Sequence, residues 1–204
     1  MPLQNRVNPY GDICFSEHRG AFTGNRGVIH NEKQEIVKQF RVKRWIICLL
    51  KYKNYERKVM TPNRWTELFF LDEATALAAG HRPCTFCQRE RSIEFRQHWV
   101  AANQAFFDIS DIKVDAIDNI LHWERMNCEK PLALIDDLPD GVFVEFNGKP
   151  NLIFEKKLFE WSFRGYLNSQ AKQPKTFIKL LTPPSTVRAL QHGFQPIMSL
   201  KNEN

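Results

Sequence analysis

The stretch "LAAGHRPCTFCQRE" (77–90) places Cys84 and Cys87 two residues apart, behind Pro83 and between Arg82 and Arg89. At the N-terminus of a helix, unpaired amides and the macrodipole favour thiolate over thiol, and the neighbouring arginines act in the same direction. The two-residue spacing lets both sulfurs turn toward one point, as a tetrahedral zinc ion requires. Zinc needs two more donors, and the chain contains no second Cys-x-x-Cys. Cys48, the nearest upstream thiol, is the first choice for a third ligand, and His30 is the next. Cys14, His98, His122 and Cys128 are further candidates, the two histidines lying in helical stretches. Cys48 sits in the apolar run "IICLL", where a cysteine can equally be a small buried hydrophobe.

Two other chemistries use the same residue types. A redox pair of the thioredoxin kind follows a strand in a βαβ pattern, whereas a short helix precedes this one. A zinc deaminase needs H-x-E upstream of P-C-x-x-C. His30-Asn31-Glu32 and "PCTFC" satisfy that order, but "GVIHNEKQEIV" reads as a hairpin rather than the start of a helix.

The elements that must position these groups read as α+β, in the order strands, helices, strands. "GDICF", "RGAFTGNRGVIH", "EIVKQF", "RWIICLLKYK" and "WTELFFL" suggest an antiparallel sheet built from hairpins. Asp72 caps a short helix that Gly80 ends. A longer helix is expected from near Cys84 to about Asn103, with Ile93, Phe95, Trp99 and Val100 as apolar positions. Another is expected from a Ser110 cap to about Met126, with Ile112, Ala116, Ile120 and Leu121 inside. Strands return from "LPDGVFVEF", with turns at Asn147-Gly148 and Lys156-Lys157, then "TFIKLL" and the helix "TPPSTVRALQHG". "LAAGHRPC" (77–84) and "LQHGFQPI" (190–197) echo one another, either as a repeated unit or as two helices with one stop signal.

"FFLDEATALAAGHRPCTFC" resembles the second half of the zinc-binding domain of the Ada methylated-DNA repair protein. There a strand, a short helix ending in AGxRPCxxC and a cysteine pair at the next helix recur together. The likeness spans residues 68–88 and implies zinc on Cys84 and Cys87 and a domain that sits on DNA. The earlier cysteine pair of that domain, one member of which accepts a methyl group, has no counterpart here. Methyl transfer is therefore not implied. Over its whole length the chain also resembles a set of bacterial proteins of similar size, in "RGAFTGNRGVIH", "LPDG", "WSFRGY" and "LTPPSTVRALQHGFQP" among other segments. That likeness implies one unit, and it carries no activity with it. The regions expected are a zinc-binding region with a basic sheet at 1–130 and a small β-rich region at 131–204 packed on it.

Between Lys38 and Lys58 eight basic residues stand against one acid, Glu56, with Phe40, Trp45, Tyr52 and Tyr55 interleaved. Arg41, Lys43, Arg44, Trp45, Lys51 and Lys53, with Arg82, are the candidate nucleic-acid contacts, combining phosphate charge with stacking rings. The same pattern fits a strand pair whose aromatics fill a core. The net charge of +6 is compatible with a polyanionic partner, DNA ahead of RNA. "RGAFTGNRG" places Arg26 among glycines that can form an anion-binding nest. Arg26, His30 and Glu32 are accordingly the catalytic candidates of an alternative reading, a metal-dependent hydrolase, nuclease or deaminase. A small-molecule enzyme holding an anionic substrate in the glycine loop is a third. "WSFRGY" reads as core aromatics, and "LHWER" holds no acid/base constellation. No apolar run is long enough to span a membrane and the N-terminus has no apolar signal region, so a cytoplasmic location is expected. Five cysteines in such a compartment argue for metal or thiol chemistry rather than disulfides.

Overall fold

A computed structural model of the chain describes residues 2–54, 58–107, 113–127 and 129–200. The fold is α+β, two six-stranded sheets joined by helices. The first half supplies β1 (Gln4–Val7), β2 (Ile13–Phe15), β3 (Phe22–Asn25), β4 (Ile46–Leu49), β5 (Leu68–Phe70), α1 (Glu73–Ala78) and β6 (Arg82–Pro83). Then come α2 (Arg89–Phe107) and α3 (Val114–Asn127). The second half supplies β7 (Leu132–Leu134), β8 (Phe143–Phe146), β9 (Lys149–Phe154), β10 (Lys157–Ser162), β11 (Gly165–Ala171), β12 (Phe177–Leu180) and α4 (Pro184–Gln191).

The first sheet runs β2-β1-β5-β3-β4-β6 and is mixed, because β1–β5 and β4–β6 pair in parallel. A hairpin-built antiparallel sheet is the expectation that differs here. The physical reason is the chain segment after α1, which returns beside β4 and adds an edge strand of two residues. Arg82 N–H donates to Trp45 O at 3.1 Å and Cys84 N–H to Ile47 O at 2.9 Å. The second sheet, β11-β10-β9-β8-β12-β7, is antiparallel throughout.

Other elements are shorter than their sequence patterns. β4 keeps four residues of "RWIICLLKYK"; Leu50 is already 44% exposed, and Lys53 turns the chain with φ of 52°. "EIVKQF" forms one bridge, His30 with Ile36, and no strand. α2 begins at Arg89 rather than at Cys84, because the chain first turns around the Cys84 sulfur. Along α2, Ser92, Phe95, Trp99 and Asn103 are buried, whereas Ile93 faces out. The Ser110 cap and Ile112 lie outside the described residues.

The caps follow the sequence. Asp72 accepts from Thr75 N–H at 2.8 Å, and Gly80 ends α1 with φ of 76°. Gly193 ends α4 with φ of 114°, and both turns close by the same pair of bonds, His81 N–H to Ala76 O and Phe194 N–H to Ala189 O being the longer of each. The echo between the two segments is thus a shared helix stop of the Schellman type. One apolar core joins the halves: Val7, Ile47 and Phe70 of the first sheet cluster with Val144, Ile153 and Leu158 of the second and with Phe95, Trp99, Leu121 and Leu190 of the helices.

Candidate metal centre

The parallel pairing of β4 with β6 brings three thiols together. Its register sets Ile46 against Arg82 and Ile47 against Pro83, so the next pair along is Cys48 and Cys84. Alternate residues of a strand share a face, which puts Cys48 on the face of Ile46 and Cys84 on that of Arg82. The turn through Thr85 and Phe86 then returns Cys87 to the same place. The three sulfurs lie within 4.8 Å of one another, and each residue is about 95% buried. A tetrahedral ion with bonds of about 2.3 Å holds its sulfurs roughly 3.8 Å apart, so the spacing suits a shared ion with small side-chain adjustments.

The surroundings favour thiolate. Phe86 N–H points at Cys84 Sγ from 3.4 Å. Hydrogen bonds from the Cys48 and Cys87 thiols, then from the Cys87 and Phe86 amides, pull the Cys84 thiol far below its ordinary range. Cys48 moves the opposite way, pushed up because Cys84 and Cys87 receive its proton and because it is buried. Cys87 is also raised: its bond from Cys48 lowers it, but its own bond to Cys84 and burial outweigh that. Of the three, Cys84 is therefore the sulfur most favoured as thiolate, and a bound dication would displace the thiol protons that remain. The donor set is wholly soft, which matches zinc or another thiophilic ion and not magnesium or calcium.

The knuckle is braced from behind. Gln88 Nε2 donates to Ile47 O at 2.9 Å, and Gln88 N–H donates to Cys84 O at 3.1 Å. Arg82 donates to both oxygens of Asp118 at 2.8 and 2.7 Å, with both side chains nearly inaccessible. That ion pair anchors β6 to α3, and nothing in the sequence signals it, since the partners are 36 residues apart.

The remaining sequence candidates distribute elsewhere. Among the described residues the only metal-capable cluster is this cysteine triad, and His30 is not in it. His30 Nδ1 meets Thr66 Oγ1 at 2.6 Å and Nε2 meets Thr61 O at 3.2 Å, while Glu32 is exposed. Arg26 is 1% exposed, donates to Gly11 O at 2.9 Å and to His81 Nε2 at 3.3 Å, and stacks 3.9 Å over Trp45. Burial, with Arg125 nearby, pushes its guanidinium down to about 9. Trp45 is buried beneath Arg26 and Arg125, so its ring serves the core. Arg41, Lys43, Arg44, Lys51 and Lys53 are exposed. Cys14 stands apart beside Asn8, and His98 pairs with His192 at 3.1 Å. Cys128 lies outside the described residues, as do Tyr55, Glu56 and Arg57.

Comparison with protein-family models, curated proteins and solved structures gives no match.

Beside the triad lies a cluster of which the sequence pattern marked Tyr52 and Lys53 but not Phe86. Tyr52 packs against the triad, Phe86 meets Tyr52 edge-on with centroids 5.2 Å apart, and Lys53 Nζ lies 5.4 Å over the Tyr52 ring. No helix of the described residues is long and apolar enough to cross a membrane.

Proposed function

We propose that this chain is a zinc protein that associates with nucleic acid, DNA ahead of RNA, in repair or processing. The observation that carries the reading is the convergence of Cys48, Cys84 and Cys87 in a buried knuckle that already stabilises thiolate. Zinc there ties β4 to the turn entering α2 and fixes the direction in which that turn projects. Zinc bonds there add to the Arg82–Asp118 ion pair in holding the two-residue strand β6 at the sheet edge.

The nucleic-acid half of the reading is supported by where the charge lies. Lys51 and Lys53 follow β4 directly beyond Cys48, Arg89 opens α2 beyond Cys87, and Arg41, Lys43 and Arg44 precede β4; all are exposed. The resemblance of residues 68–88 to the Ada zinc-binding domain supports DNA as the polyanion. The hydrolase and deaminase readings find less support, since both ring nitrogens of His30 are engaged by threonines and no carboxylate stands with the thiols among the described residues.

The test is binding of the purified full chain to labelled DNA and RNA across a salt series, with zinc content measured on the same sample. Affinity that falls steeply with salt, on protein holding one zinc per chain, is the expected result. Absent or salt-independent binding sinks the nucleic-acid half, and a metal-free, fully folded chain sinks the zinc half.

A further inference from the structure

Phe86 is the second residue between the two cysteines of the knuckle, and it is 71% exposed. A phenylalanine left largely in water forgoes most of the stabilisation that burial of its ring would bring, and the turn itself asks for no aromatic at that position. The ring is nevertheless held in place. Its amide is bonded to Cys84 Sγ, and Tyr52, itself packed on the thiols, meets it at an interplanar angle of 66°. An edge-to-face contact occupies at most one face of each ring, so Phe86 keeps an uncovered π-face. Leu50, 44% exposed, adds apolar surface on the segment that carries Tyr52. Lys53 lies over the Tyr52 ring, and the exposed Lys51 and Arg89 are chain neighbours of Tyr52 and of the knuckle, against Glu90 in the first turn of α2.

A rigid aromatic face rimmed by cations is complementary to a ligand that is itself a flat ring beside an anion. Resting on the nucleic-acid reading above, we infer that Phe86, braced edge-on by Tyr52, is a stacking platform for an unpaired base of single-stranded nucleic acid. Lys51, Lys53 and Arg89 hold its flanking phosphates. A base within a duplex has both faces covered by its neighbours and cannot lie on the ring, so the platform selects for strands that are single or locally opened. The metal positions the platform and does not touch the base. The zinc knuckle thereby acquires a role in recognition: it fixes the angle at which Phe86 is offered.

The experiment compares wild type with Phe86→Leu, Phe86→Trp and the double variant Lys51→Ala/Lys53→Ala, with zinc content measured for each. The probes are a labelled single-stranded oligonucleotide, a blunt duplex of the same sequence and anionic vesicles of phosphatidylserine and phosphatidylcholine. Leucine keeps apolar bulk without a π-face, and tryptophan restores one. Phe86→Leu should weaken single-strand binding about ten-fold or more, with zinc retained and duplex binding nearly unchanged. Phe86→Trp should bind the single strand at least as well as wild type. The lysine variant should flatten the salt dependence by roughly one to one and a half units of slope, which Phe86→Leu should leave alone. Equal binding of the single strand by wild type and Phe86→Leu overturns the platform, as does an equal loss for duplex and single strand. Anionic vesicles that lose binding with Phe86→Leu, while the oligonucleotide does not, would assign the ring to a membrane instead. A wild type that binds neither nucleic acid removes the broader reading first, before the variants are compared.

Discussion

The two ends of α1 solve the burial of polar groups in opposite ways. At the N-terminal end, Asp72 is fully buried, yet its oxygens receive Thr75 N–H at 2.8 Å, Thr75 Oγ1 at 2.7 Å, Tyr166 Oη at 2.6 Å and Ser199 N–H at 2.9 Å. Beside it Glu73, also fully buried, takes Arg91 Nη2 at 2.7 Å and Ile197 N–H at 2.9 Å. These bonds lash α1 to β11 and to the C-terminal segment, and every acceptor has its donors inside the chain. Beyond the C-terminal end, β6 leads into the sulfur cluster, where three donors of electron pairs face mainly one another. Buried polar groups that are internally satisfied are structure. Buried soft donors that converge on one point, as these three do, are instead placed to hold a metal ion.

Breaking each end separately separates the two kinds of burial, and the largest effect should come from the thiol end. Cys48→Ser should abolish stoichiometric zinc, weakening affinity by more than the roughly 10–100-fold that an outer partner of a ligand contributes. It should also lower thermal stability sharply, read by metal analysis and a melting curve. A Cys48→Ser chain that keeps its zinc would mean that the parallel β4–β6 register does not build the site. Asp72→Ala should cost about 3 kcal/mol in urea unfolding, since it removes a helix cap and leaves Tyr166 without its acceptor. Zinc content should be unchanged, which is the contrast between the two ends.

His81, which lies between them, should govern the acid limb of stability. Burial, with Arg26 and Arg125 close by, holds its imidazole well below the ordinary range, so it is neutral in the fold. Unfolding releases a histidine that protonates near its ordinary value. The contribution is therefore whole above about pH 6.5 and declines as the pH falls below it, at up to about 1.4 kcal/mol per pH unit. Unfolding titrations between about pH 7.5 and 5.5 should show this slope in wild type and lose it in His81→Gln. An unchanged slope in the variant would place the acid sensitivity elsewhere. At the small end, Lys149→Ala removes an exposed ion pair with Glu160 and should change stability by less than about 0.5 kcal/mol. A larger loss would show that the second sheet depends on its surface charges more than on its core.

What could be read from residues alone follows from how local each signal is. Asp72 acts through a side chain that reaches three residues on, and Gly80, Asn147-Gly148 and Gly193 act through their own backbone, and all hold the roles their types demand; Asn147 and Gly148 turn the β8–β9 hairpin with φ of 51° and 71°. The second hairpin turns at Glu155 and Lys156, one residue before the expected place, because both adopt positive φ without a glycine to announce it. Cys84 and Cys87 were visible as a pair, and Cys48 was visible only as a thiol in an apolar run. Their meeting depends on β6, a strand of two residues that no periodicity can reveal. Arg82 shows the same limit. Its charge suits a phosphate in the sequence, but in the fold Asp118 occupies it. Trp45 and Arg26, read as ligand contacts, turn inward onto each other, and the aromatic that does face solvent at the centre, Phe86, sat inside the motif.

X-ray absorption at the zinc edge on the full-length chain, as purified, tests the central claim most directly. Three sulfurs at about 2.3 Å in wild type, falling to two in Cys48→Ser if any metal remains, are what the convergence of Cys48, Cys84 and Cys87 predicts. A shell of nitrogen and oxygen, or a folded wild-type chain that binds no zinc, would contradict it.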